Sequence, residues 1–141
     1  MQDKGFMYLG STIAIANSNN ALKIPFPDSP ASFESEWAFD GNRNANNVLV
    51  GQFVGRQNDK QNCSWGLLPV EIWWELNQFR KVNRNTFYCR YFDHNLGVWH
   101  TRKFYTGNPK VNFSLMDESS GKPIEVYDTA TLNFIDTGEG D

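Results

Sequence analysis

Short runs of alternating hydrophobic and polar residues fill most of this chain, and only one segment changes to the period of a helix. The clearest alternation places Phe87, Cys89 and Tyr91 on one side of a run, and a second run, 98–105, follows a glycine-ended turn. Period-two alternation on both sides of such a turn is typical of a β-hairpin. The sequence therefore predicts two antiparallel strands here.

The remaining apolar runs are shorter and are separated by residues that favour turns, such as Asn, Gly and Pro. Runs interrupted in this way are typical of a mainly β domain. We expect further strands at 33–39, 48–54, 111–115, 124–126 and 131–135, and an N-terminal hairpin built from 12–16 and 21–26.

The helical period lies in residues 69–82. Pro69 suits the first turn of a helix because its missing N–H would have no partner there, and Arg80 suits the negative end of the helix dipole. Val70 and Trp74 fall on the side opposite the main apolar stripe, where we expect a contact with another subunit. The stripe that we expect to face the sheet consists of Ile72, Trp73, Leu76 and Phe79.

A long polar segment, 40–62, has an asparagine-rich centre and returns through the polar run 57–62. Because this segment has few apolar side chains to bury in its own domain, we expect a long projecting hairpin that a neighbouring copy completes. The expected interface residues are Arg43, Asn44, Asn46, Val48 and Arg56, together with Val70 and Trp74.

These elements indicate one domain over 1–141, long enough for a single core. The expected fold class is mainly β, a β-sandwich or barrel with one flanking α-helix. Residues 1–28 are expected to form an N-terminal extension or hairpin, and 136–141 a flexible acidic tail. The expected core residues are Phe33, Trp65, Ile72, Leu76, Phe79, Phe87 and Phe104.

Composition narrows the classes of function. The aromatic share of 15% indicates a packed domain, and the formal net charge of −3 gives no basic surface for capturing a polyanion. Two cysteines in no paired spacing are expected to be buried free thiols. No apolar run is long enough to span a bilayer, so no membrane partner is expected.

Candidate catalytic chemistry is sparse. Two histidines, His94 and His100, are few for acid–base work, so we expect no enzymatic activity. A zinc site that combined them with Cys63 and Cys89 would lack the closely spaced ligand pair of structural zinc sites, so no metal or other cofactor is expected. Two alternatives remain open: a carbohydrate- or receptor-binding β-sandwich that uses exposed aromatic residues, and a small enzyme in which His94 or His100 meets a carboxylate.

Six short pieces of the sequence, in order along the chain, carry a resemblance to a known family. They are Pro30-Ala31-Ser32-Phe33, Asp40-Gly41 with Arg43-Asn44-Ala45-Asn46, Leu49-Val50-Gly51, Val54-Gly55-Arg56, Ser64-Trp65-Gly66-Leu67-Leu68 and Phe104-Tyr105-Thr106-Gly107-Asn108. In these pieces, which span a little over half of its length, the chain resembles a family of small structural proteins from the tail modules of phages and prophages of Gram-positive bacteria.

The resemblance implies a tail-tube-like fold whose subunits form homo-oligomeric rings, expected to be hexamers, that build a conduit for DNA. It implies a virion tail protein that contacts other tail proteins, is assembled in the host cytoplasm and lets DNA pass without specific binding. The polar segment 40–62 would be the hairpin that reaches a neighbouring subunit or ring. Residues 1–26 lie outside the resemblance, which leaves open a main tube subunit or a tube-end or baseplate adaptor.

Overall fold

The computed structural model describes residues 5–28, 31–43, 49–113 and 125–139. The described strands form one antiparallel sheet in the order β2-β1-β5-β6-β8-β4-β3, and β7 also pairs with β8. A mainly β fold with a flanking helix is therefore confirmed. In chain order the elements are β1 (Met7–Gly10), α1 (Ile13–Ala16), β2 (Leu22–Ile24), β3 (Ser32–Arg43), β4 (Leu49–Pro69), α2 (Val70–Val82), β5 (Phe87–Asp93), β6 (Val98–Thr106), β7 (Lys110–Asn112) and β8 (Val126–Asp136).

The sheet is strongly curled. Three strands separate β5 from β3, and in a flat sheet with about 4.8 Å between strands they would lie roughly 19 Å apart. Yet the ring centroid of Phe33 on β3 is only 6.2 Å from that of Tyr91 on β5. The concave face therefore wraps around its own core, and α2 packs against that core.

The core confirms most of the predicted residues. Trp65, Leu76, Phe87 and Phe104 are buried, and Phe33 and Phe79 are partly buried against the same cluster. The helix joins the cluster through ring contacts of Trp73 with Trp65 (6.2 Å) and of Phe79 with Phe87 (5.5 Å). Ile72 is the exception: its side chain is 39% exposed, so its assignment to the core is wrong.

The prediction that Val70 and Trp74 of α2 face outward is also wrong, although Trp73, Leu76 and Phe79 face the core as predicted. Val70 is fully buried, and Trp74 is partly buried and donates its indole N–H to the hydroxyl of Tyr127 at 2.9 Å. Neither residue faces outward. The inward face is wider than the predicted stripe and includes a polar residue, Arg80, whose Nε donates to the hydroxyl of Thr106 on β6 at 2.6 Å.

The two helix positions give a direct test of this orientation. Leu76→Ala is expected to lower the free energy of unfolding by about 2–5 kcal/mol, because it truncates a buried side chain, whereas Ile72→Ala should cost less than about 1 kcal/mol. Urea denaturation of both variants measures the difference. Equal losses would mean that the helix is buried on the stripe that the sequence predicted.

The N-terminal hairpin exists, and its second strand, β2, lies within the predicted run 21–26, but its first strand differs from the prediction. β1 pairs with β2, and residues 12–16, expected to be a strand, begin one helical turn instead. The Thr12 hydroxyl caps this turn by accepting the N–H of Ile15 at 3.2 Å. A threonine cap competes locally with an extended conformation, and alternation alone cannot show this.

The other strand predictions differ in extent. At the C-terminal end, the runs 124–126 and 131–135 belong largely to one strand, β8, which begins at Val126. Of the run 111–115, β7 contains Val111 and Asn112, and residues 114–124 lie outside the described part.

Candidate functional site

A group of charged residues occupies one end of the concave face. On β4, Asp59 and Gln61 are buried on the same side as Cys63 and Trp65, because side chains two residues apart share a face. The polar run 57–62 is therefore not a solvated arm throughout: β4 pairs with β8 from Lys60 onward. The prediction that this whole stretch projects from the domain is wrong.

Asp59 is the centre of this group, which we call the charged cluster. Its Oδ2 accepts hydrogen bonds from the Tyr91 hydroxyl and from Nη1 of Arg102, the latter at 3.1 Å. Its Oδ1 accepts the hydroxyl of Ser35 at 2.7 Å, and that hydroxyl in turn accepts Nδ2 of Asn95 at 3.1 Å. One carboxylate thus links β3, β4, β5, β6 and the turn after β5.

Arg56 and Asp136 extend the charged cluster to the end of β8. The Arg56 guanidinium forms an ion pair with the Asp136 carboxylate, and its Nη2 also donates to the backbone oxygen of Glu139 at 2.6 Å. The hydrogen bonds to Asp136 raise the pKa of Arg56 above its ordinary value. Residues 136–139 are therefore fixed to the domain, so the prediction of a flexible tail from 136 onward is wrong for them.

Asp93 and His100 form the third part of the charged cluster. The Asp93 Oδ1 accepts the backbone N–H groups of Asn95 and Leu96 at 2.9 and 3.1 Å, which fixes the turn between β5 and β6. Its Oδ2 lies 3.1 Å from Nε2 of His100. The encounter of a histidine with a carboxylate, which the enzyme alternative predicted, is present for His100. His94 instead lies in the turn and contacts aromatic rings, among them Phe33 in an edge-to-face arrangement with the ring centroids 5.4 Å apart.

Within the described residues, Asp59, Asp93 and His100 form the one group of potential metal ligands, with their ligand atoms within 4.8 Å of one another. Neither cysteine belongs to it. The Arg102 guanidinium already neutralises Asp59. Asp93 accepts two backbone N–H groups through Oδ1, and its Oδ2 lies within hydrogen-bond distance of Nε2 of His100. Because these oxygens already have donors, the arrangement fits a structural ion network better than a cation site.

The hairpin β3–β4 leaves the sheet next to the charged cluster. Six register pairs, from Ala38↔Val54 to Arg43↔Leu49, join β3 and β4 beyond the region that β8 covers. At about 3.4 Å per residue, this ribbon, which we call the arm, is roughly 20 Å long. Between the arm and the sheet the register shifts, with Trp37 opposite residues 55–57. The shift bends the hairpin, and Arg56 within it is anchored to Asp136.

The structure separates the predicted interface residues. Arg43 ends β3 at the far end of the arm, and Arg56 lies at its base. Val70 and Trp74 belong to the domain's own packing. Asn44, Asn46 and Val48 lie outside the described residues. The sequence analysis did not identify the charged residues Asp59, Arg102 and Asp136, or Tyr91, as members of a site. The alternation that buries Trp65 and Cys63, extended toward the N-terminus in steps of two residues, would have indicated Asp59.

Two buried thiols lie on the same face. Burial raises the pKa of Cys63 to about 12 and also raises the pKa of Cys89. Burial and the hydrogen bond to Asp59 likewise raise the pKa of the Tyr91 hydroxyl. In each case the folded chain holds the proton more tightly than the unfolded chain does.

This difference predicts a loss of stability in alkali. The contribution of the thiols is complete below their ordinary pKa and is lost as pH rises from about 9 toward 12, by about 1.4 kcal/mol per pH unit for each thiol. Urea midpoints at pH 8, 9 and 10 measure the slope. The double variant Cys63→Ala/Cys89→Ala should show a flatter slope, and an unchanged slope would exclude the thiols as its cause.

Comparison with protein-family models and with curated proteins finds no match to this chain. The described residues contain no helix that is both long and apolar enough to cross a membrane.

Proposed function

We propose that this protein is a non-enzymatic structural subunit of a bacteriophage tail or tail-like injection machine, which assembles through its arm into rings that form a conduit for DNA. The observation that carries the proposal is the arm itself: six register pairs of a two-stranded ribbon with no third strand among the described pairings. An isolated two-stranded ribbon is marginally stable in water, so a neighbouring subunit that covers it would stabilise it.

The charged cluster supports this role because it fixes the base of the arm. Ser35 and Asp59 face each other across the hairpin, and Arg56 joins its bend to β8. A contact that must repeat around a ring requires the same arm direction in every copy. Buried ion pairs with several hydrogen bonds define one geometry more strictly than apolar packing does.

A second, unlike surface lies at the opposite end of β4. Leu67 is 74% exposed, and two further exposed residues are Val126, which pairs with Pro69, and Phe113, whose ring contacts that of Tyr127. Head-to-tail assemblies need two different surfaces on each subunit, one that contributes and one that receives. The arm and this apolar end meet that requirement, and the apolar end takes the place of the Val70 and Trp74 face expected from the sequence.

The pieces that carry the family resemblance coincide with these features. Among the described residues, 40–43, 49–51 and 54–56 belong to the hairpin, and 64–68 lie in the part of β4 that leads to the apolar end. In this proposal the protein is a virion tail component, in the main tube or in an adaptor at one end. It contacts other tail proteins, and DNA passes it without specific binding.

Negative-stain images and sedimentation of the purified chain over a range of concentrations test the proposal. We expect rings or short tubes, with a mass that identifies the ring symmetry and a hexamer as the first expectation. A chain that stays monomeric at high concentration, and that does not assemble when the other proteins of its tail module are added, would overturn the proposal.

A further inference from the structure

A groove on the convex side of the sheet carries a second inference, which goes beyond the structural role. It is about 590 Å³ in volume, within the size range of ligand sites. α1 contributes one wall through Ile13, and the segment after β8 contributes the other through Glu139. Tyr88 and the consecutive β6 residues 99–103 line the rest.

The strand alternation decides which side chains this groove presents. Arg102 and His100 direct their side chains into the charged cluster, where they contact Asp59 and Asp93. Trp99, Thr101 and Lys103 therefore project on the opposite side of β6, toward the groove. The groove thus combines an indole ring with an amino group and with a hydroxyl that already donates to Oδ1 of Asn17 at 2.6 Å and can still accept a hydrogen bond.

Trp99 is exposed and at the same time held rigidly. Its side chain is 41% exposed, and three neighbours brace its ring: Phe92 with centroids 5.6 Å apart, Tyr8 at 6.1 Å, and the Arg90 guanidinium 5.2 Å from the ring centroid. A ring fixed before binding loses little conformational entropy when a ligand packs on it. Exposed, preorganised aromatic rings are typical of recognition surfaces.

The charges in the groove are nearly balanced. Lys103 Nζ lies 3.4 Å from Glu139 Oε2, and Arg102 is neutralised by Asp59. A polyanion such as a nucleic acid requires several cations in excess, whereas the Arg90 guanidinium beside Trp99 is one additional cation. A paired ammonium and carboxylate instead offer donors and acceptors side by side, which matches the hydroxyl groups of a sugar.

We propose that this groove binds a neutral oligosaccharide, with one sugar ring packed on Trp99 and its hydroxyl groups bonded by Lys103, Glu139 and Thr101. The apolar C–H face of a pyranose ring suits packing on an indole, and its equatorial hydroxyl groups point toward the polar neighbours. An open groove admits a segment of a longer chain, so the ligand class is a polysaccharide rather than a free monosaccharide.

The test is an array of neutral oligosaccharides, including trimers of glucose and of N-acetylglucosamine, followed by calorimetric titration of those that bind. Trp99→Ala should weaken binding by about tenfold or more, and Glu139→Gln should weaken it by a smaller factor. Trp37→Ala, which removes another exposed tryptophan on a different strand, is the matched control and should leave the affinity unchanged. Unfolding midpoints verify that each variant is folded.

Three outcomes would overturn the proposal. They are no neutral sugar bound at millimolar concentration, binding of only an oligouronate or a single-stranded oligonucleotide, and equal affinity in Trp99→Ala and Trp37→Ala. If Trp99→Ala does not fold, Thr101→Val and Glu139→Gln decide the matter, and unchanged affinity in both rejects the site. The assay does not require assembly, so its result is independent of whether rings form.

Discussion

Asp59→Ala is expected to lower the free energy of unfolding by about 3–5 kcal/mol, because it removes a buried carboxylate that forms an ion pair with the partly buried Arg102 guanidinium. The substitution also removes the acceptor for the hydroxyls of Tyr91 and Ser35. Each unsatisfied buried polar group adds its own desolvation cost. Urea denaturation at a concentration where the chain is monomeric measures the loss.

Glu36→Ala is the matched control for this experiment. It removes an exposed acid from the same hairpin and should change stability by less than about 0.5 kcal/mol. The double variant Asp59→Leu/Arg102→Met should be less destabilised than Asp59→Ala, because an apolar pair leaves no charge without a partner. If Asp59→Ala costs no more than the control, the charged cluster does not stabilise the base of the arm.

The parts of the fold that the sequence predicted well depend on local patterns. The hairpin β5–β6 has strict alternation and a turn that Asp93 caps, and α2 begins one residue from its predicted start and ends at the predicted residue. Both elements carry their signals within a few neighbouring residues. Such signals are independent of what the element later packs against.

The wrong assignments depend on contacts that no local pattern contains. The apolar stripe of α2 predicted Ile72 as buried, but Arg80 and Asn77 occupy inward positions, where Arg80 binds Thr106 and Asn77 Oδ1. Polar residues with partners can lie on a buried face, and hydrophobic periodicity assigns them to solvent. Burial also lowers the pKa of Arg80, as expected for a guanidinium turned into the domain.

The charged cluster was missed for the same reason. Asp59 belongs to a run of seven polar residues, 56–62, and its partners Tyr91, Arg102 and Ser35 are distant in sequence. Only the curling of the sheet brings β3 and β4 to β5 and β6. Charge pairing across such distances follows from topology, which the sequence specifies only through the whole fold.

The base and the far part of the hairpin therefore have different roles. The base is fixed by the charged cluster and belongs to the domain, whereas the arm beyond Ala38 and Val54 pairs only within itself among the described strands. The stability of the monomer and its assembly should therefore depend on different parts of the same hairpin. Substitutions in the cluster should affect folding, and changes to the arm should affect association.

Shortening the arm is expected to abolish assembly while leaving the monomer folded. Asp40 and Gln52 are register partners, so replacing residues 41–51 by Asn-Gly joins them through a two-residue turn that suits a β-hairpin. The removed described residues pair only with one another, so the free energy of unfolding should change by less than about 1 kcal/mol. Sedimentation and negative-stain images, compared with the unaltered chain, measure the loss of rings.

A graded variant provides the matched control for the arm. Joining Asn42 to Val50 by the same turn retains two more register pairs, Gly41↔Gly51 and Asn42↔Val50, and should weaken assembly less than the shorter hairpin does. A contact along the arm predicts this order, because the affinity between subunits follows the length of ribbon that a neighbour covers. Rings that form equally well with both shortened hairpins would show that subunits associate through another surface, and the apolar end around Leu67 would then be the first to test.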